Sequence, residues 1–247
     1  MNASFSSRLL PFLTLVAGGI GFALYRWLLS GIDEKGLLQA THPAGPLLFL
    51  LSALMLAVLF FLLRTVPPTS KYAQLFLPSG SGALGCVFGA AALVYTSVAE
   101  GFSNSDIFSL LLFPIGIAAG IVLFFTAYCR YKGLRPQFFL TCVPVIYMIL
   151  RLISLCRVWG TEPQLLLFLF PLLACMFLLL TCYQHCALTL QCGSRRQFLF
   201  YNQAALFFCC LSFGTQMWVF FLGTAIWMVA DMGSLYSPRH LRRQKEA

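Results

Sequence analysis

Eight apolar stretches, each about twenty residues long and joined by short polar connections, fill almost the whole of this 247-residue chain. At a rise of about 1.5 Å per residue, a helix of roughly 20 apolar residues crosses a hydrocarbon core about 30 Å thick. The stretches cover residues 9–29, 47–65, 83–101, 108–128, 138–157, 165–187, 198–215 and 217–236. Barrel strands would alternate apolar with polar residues, yet Leu47 to Leu63 contains one polar residue, Ser52. A content of 60% hydrophobic and 9% charged residues, with a mean hydropathy of +0.87, leaves too little polar surface for a water-soluble domain. The pattern predicts an all-α fold: a polytopic transmembrane helical bundle of eight helices, forming a single integral membrane domain over residues 1–247.

Two of these assignments rest on length. Residues 198–236 form one nearly unbroken apolar run, and a single helix there would be about 58 Å long. The chain must fold back, and Gly214-Thr215-Gln216 is the expected turn. The first run is longer than the roughly 7 to 15 residues of a cleavable signal core and ends in Tyr25-Arg26-Trp27 instead of small residues. It is expected to be a retained first helix.

Basic residues collect on the cytoplasmic side of membrane proteins, and here they fall into alternate segments. One set of segments holds Arg8; Arg64 and Lys71; Arg130, Lys132 and Arg135; Arg195 and Arg196; and Arg239, Arg242, Arg243 and Lys245. The other holds Arg26, Lys35 and Arg157, together with the acids Asp33, Glu34, Glu100, Asp106 and Glu162. This bias predicts that both N- and C-termini are cytoplasmic, in a multi-pass protein of the cell membrane. The net charge of +9 is thereby spread among short loops, with the lipid bilayer as its partner and no basic module of the kind nucleic-acid binding requires.

Ionisable residues at bilayer depth are costly unless paired or hydrated, so they mark the candidate sites. Tyr147, Arg151 and Ser154 share one face of the fifth helix, and Glu100 ends the third helix on the same side. With Arg26 and Tyr95 they suggest an outer ligand-binding vestibule of Arg26, Tyr95, Glu100, Tyr147 and Arg151. The same arginines can equally snorkel to the interface or make structural ion pairs. A second polar cluster, His185, Asn202 and Asp231, is expected on the cytoplasmic side. A His185–Asp231 pair there would relay a proton or line an inner gate, and interfacial anchoring or interhelical hydrogen bonding would use the same residues.

Ten cysteines lie mostly in or at the ends of apolar helices, where cysteine acts as a small hydrophobe. Cys182, His185 and Cys186 lack the paired spacing of a zinc site, so no metal, cofactor or disulfide is expected. The Ser79–Gly85 stretch is similar in composition to the serine loop of rhomboid proteases, but it lies at the cytoplasmic end of its helix and no suitably placed His follows. No phosphate-binding loop, zinc-protease motif or paired catalytic carboxylates occur, and no catalytic residue is assigned.

Gly85, Gly89, Gly116 and Gly120 form small-residue faces that let helices approach closely, within the bundle or against a membrane-protein partner. Pro114, Pro144 and Pro171 fall within three consecutive helices and favour kinks. Leu- and Phe-rich resemblance between the first and second four helices raises a duplication as an expectation to test. The features favour a small-solute permease or membrane-embedded ligand-binding component. The alternatives are a non-enzymatic accessory or scaffold subunit of a membrane complex, and an intramembrane lipid-acting enzyme using His185 or Glu100 as acid or base.

Overall fold

All eight apolar stretches are helical in the computed structural model of the protein, which describes residues 3–31, 42–64, 66, 72–76, 78–103, 107–159 and 165–235. The helices are α1 (Ala3–Ser30), α2 (Ala44–Leu63), a single-turn α3 (Tyr72–Leu75), α4 (Gly80–Ser103), α5 (Ile107–Lys132), α6 (Phe138–Trp159), α7 (Leu165–Thr189), α8 (Arg195–Leu211) and α9 (Trp218–Gly233). Among the described residues β-pairing is limited to one bridge, Phe76 to Leu235. Six of the long helices are long and apolar enough to cross a membrane. The protein is therefore a multi-pass membrane protein.

The remaining two long helices, α8 and α9, have 17 and 16 residues, or about 25 Å each. Thirteen residues of α8 are buried inside the protein, so neighbouring helices, more than lipid, form its surroundings. This lets α8 carry Arg195, Asn202 and Gln203. By contrast α2 buries only a stripe that includes Leu48, Ser52, Met55, Leu59 and Leu63, the spacing of one helix face.

Helix ends follow local chemistry. The chain leaves α5 through Gly133, whose φ of +69° is left-handed, and Leu134 N–H donates to the Cys129 carbonyl at 2.8 Å, as at a glycine-terminated helix. The turn between α8 and α9 is a short 3-10 segment, Ser212–Gly214, with α9 starting at Trp218. That is the expected reversal. Most ends differ from the hydropathy limits, the clearest being α1, which begins at Ala3, α5, which runs on to Lys132, and α8, which runs from Arg195 to Leu211. Hydropathy stops at the first charge, whereas a buried charge can continue the helix. Residues 65 and 236, ends of two expected spans, and the outer-loop and C-terminal charges Asp33, Glu34, Lys35, Asp106, Glu162, Arg239, Arg242, Arg243 and Lys245 lie outside the described residues, as does Lys71.

Helices α4 to α9 close into a ring, each packed on the next, with α9 returning to α4; α1 and α2 lie against α8. Glycines set the closest approaches. A Cβ on Gly85 would stand 2.1 Å from the Ala230 Cβ, and one on Gly223 2.2 Å from the Ala92 Cβ, fixing α4 antiparallel to α9. Gly116 and Gly120 bring α5 onto Ser97 and Val94 of α4, and Gly89 seats Trp227. Helix pairing differs between the two halves: α7 packs along α6 and α8, whereas α2, its counterpart in the first half, packs mainly against α1 and α8. Pro114, Pro144 and Pro171 lie inside continuous helices.

Candidate functional site

Two buried ion pairs join ring helices at opposite ends of the bundle. At one end, Arg151 of α6 donates from both terminal nitrogens to Glu100 of α4. Its Nη2 also lies 3.2 Å from the Met217 Sδ, and Phe220 of α9 faces the guanidinium at 5.9 Å. One turn deeper, the Ser97 hydroxyl is 3.4 Å from the Tyr147 hydroxyl. Thus α4, α6 and the start of α9 meet in one polar cluster.

At the other end, Arg130 of α5 is the hub. Its Nη1 is 3.1 Å from Asp231 Oδ1 and donates to Ser234 Oγ at 2.9 Å, while Nη2 is 3.2 Å from His185 Nε2. An arginine in a protein is always a donor, so Nε2 is the unprotonated ring nitrogen and the imidazole is neutral. Phe76 stacks on the guanidinium at 3.7 Å, and Tyr72 and Phe198 complete an aromatic wall around His185. Burial pushes the Tyr72 phenol above its ordinary range. The segment carrying Tyr72 and Phe76 therefore plugs this end, tied to the end of α9 by the Phe76–Leu235 bridge.

Helix polarity explains why arginine is needed twice. Glu100 and Asp231 lie in the last turn of α4 and α9, where the helix dipole disfavours a negative charge and favours a positive one. Each carboxylate is held by a cation from a different helix. Such a buried pair gains little net stability, because desolvation offsets the attraction, but losing one partner costs about 3–5 kcal/mol. Asp231 is the more deeply buried of the two carboxylates: its side chain is 1% exposed against 25% for Glu100, and Arg130 and the Trp227 indole are the donors that face it.

Gly116, which packs against Ser97 and Tyr147, and Arg130 are fourteen residues apart on α5, placing the two clusters about 20 Å apart. Next to the Arg130 cluster is a small cavity of about 10 Å³, lined by Leu123, Thr126, Thr141, Pro144, Cys182, His185 and Trp227, with space for about one water. The buried Trp227 indole N–H is directed at Asp231 and Cys86.

The structure brings together Glu100, Tyr147 and Arg151 of the expected outer group. It does not bring Arg26 or Tyr95 to them. Arg26 is exposed beside Gly214, and Tyr95 is 59% exposed on an apolar groove of about 690 Å³ between α4 and α5. Of the expected inner group, His185 and Asp231 join through Arg130, which stands between them. Asn202 donates instead to the Met228 Sδ at 3.2 Å, three residues before Asp231 on α9. Sequence reading placed Arg130 among loop charges and missed Ser234, Tyr72 and Phe76. A signal for Arg130 was present: Ala119, Leu123, Thr126 and Arg130 share a buried face, while Ile121, Phe124, Phe125 and Tyr128 face outward. Gly85, Gly89, Gly116 and Gly120 are in contact with other helices of the same chain. Among the described residues no three His, Cys, Asp or Glu side chains form a metal-binding group.

No family model matches this chain, and neither the curated proteins nor the solved structures compared with it give a match.

Proposed function

We propose that the protein is a small-solute permease in which the two buried ion pairs are gates closing opposite ends of one pathway. One observation carries this reading: Arg130–Asp231 and Arg151–Glu100 cap the same six-helix ring at its two ends, with a small cavity against the first of them. A protein needing only a stable bundle would be as well served by apolar packing at both positions. A pathway opened alternately at each end needs contacts that can be exchanged for water, and ion pairs can be. In this reading the Arg130 end faces the cytoplasm, following the distribution of basic residues, and the membrane is the cell membrane.

The test is reconstitution into liposomes, presentation of a defined mixture of amino acids, sugars, nucleosides and organic acids, and mass analysis of what enters. The native protein is expected to accumulate at least one solute above protein-free liposomes. Arg151→Ala is expected to abolish that uptake while the protein remains abundant and folded. Failure of every solute to enter with folded native protein counts against transport.

The accessory-subunit reading draws on a different feature, the apolar groove between α4 and α5. A membrane protein that co-purifies in stoichiometric amount, and is lost on Ala91→Trp within that groove, would favour it.

A further inference from the structure

We propose that Asp231 is the proton-binding residue of this permease, and that a proton reaching it from the Arg130 end releases Arg130 and opens that end of the ring. The inference rests on the permease reading and adds its coupling ion.

Charge and geometry select the residue. The groups around Asp231 are Arg130 from α5, Tyr72 from α3, Cys86 from α4, and His185 and Cys182 from α7; on its own helix Ser234 and Trp227 are close. Arg130 is the one cation among them, and with neutral His185 the cluster carries no net charge. The Asp231 carboxylate has Arg130 as its cation and the neutral Trp227 indole as a further donor. Glu100, by contrast, meets two arginine nitrogens and is 25% exposed. A metal cation cannot substitute for the proton, since it would press against the guanidinium 3.1 Å away and would lack a shell of oxygen ligands. A proton forms an O–H bond on Asp231, takes its charge from −1 to 0, and leaves Arg130 an uncompensated buried cation. That state is relieved when water enters from the near end and Arg130 turns into it. His185 Nε2 already accepts from Arg130, so a proton there would have to displace the arginine first.

Cys182 reports the opening, because it lines the cavity beside His185 and is buried in the closed state. Cys192, exposed in the connection between α7 and α8, is an internal reference. The native protein in lipid nanodiscs is treated with a charged methanethiosulfonate reagent at about pH 7.5 and about pH 5.5, and labelling is read peptide by peptide. Reaction through the thiolate slows both cysteines alike as pH falls, so their ratio isolates access. The Cys182-to-Cys192 ratio is expected to rise at least about fivefold at the lower pH, and to be the same in sodium as in choline buffer. Asp231→Asn is expected to hold the ratio high at both pH values. Because that variant leaves a buried arginine unpaired and can unfold, the native titration decides. A ratio unchanged with pH in folded native protein overturns the proton site, whether or not the protein transports. A pH-dependent ratio in a protein that moves no solute overturns the permease reading and leaves the proton site standing.

Discussion

Arg130 offsets Asp231 as its cation while also anchoring His185, Ser234 and Phe76. Arg130→Gln is expected to destabilise the protein by about 3–5 kcal/mol, because a carboxylate then remains buried without a cation. The double variant Arg130→Gln/Asp231→Asn is expected to recover most of that loss, as removing both charges removes the penalty. Thermal unfolding in detergent, with the two single variants and the double, completes the cycle. Arg130 also shows why site residues are hard to read from sequence. Arg130, Lys132 and Arg135 stand within six residues of one another, and only helical phase separates the one that turns inward. Glu100, Tyr147 and Arg151 were legible because intramembrane charge on one face is rare. Arg26 and Tyr95 share their depth but not their facing direction, which depends on how whole helices rotate against each other.

Helix contacts made through glycine are specific about which hydrogen is replaced. On α4, Gly85 meets Ala230 with no room for a methyl group, whereas Gly19 on α1 has nothing within 4 Å of an added Cβ. Gly85→Val is therefore expected to force α4 from α9 and cost about 1–3 kcal/mol or more. Gly19→Val is expected to be nearly neutral, with melting temperature and monodispersity in detergent as the readout. Hydropathy located the eight long helices, because twenty consecutive apolar residues have few other uses. It did not locate α3, a single turn between two spans. Such a turn is stabilised by Tyr72 and Leu75 packing into the bundle, which is a tertiary effect with no periodic trace in four residues.

Exposed cysteines at opposite ends of the molecule make its orientation measurable. Cys192 lies with the Arg130 end, and Cys156 lies near the end of α6 on the Arg151 side; both are exposed. The orientation proposed from the charge distribution has the Arg130 end facing the cytoplasm. An impermeant maleimide added to intact cells is then expected to modify Cys156 and spare Cys192, and to reach Cys192 only after permeabilisation. The reverse pattern would invert the assignment of the two gates. The same arrangement bears on how the chain is made. Helix α8 is enclosed by α1, α2, α7 and α9 and carries Arg195, Asn202 and Gln203, the last bonded to Thr14 of α1 at 2.6 Å across 189 residues of sequence. As it emerges from the ribosome, α8 is poorly suited to lipid on every side. During biogenesis, the flanks of α1 and α2 that meet α8 gain their partner only when most of the polypeptide has been synthesised, so the first helices of the chain are among the last to be seated.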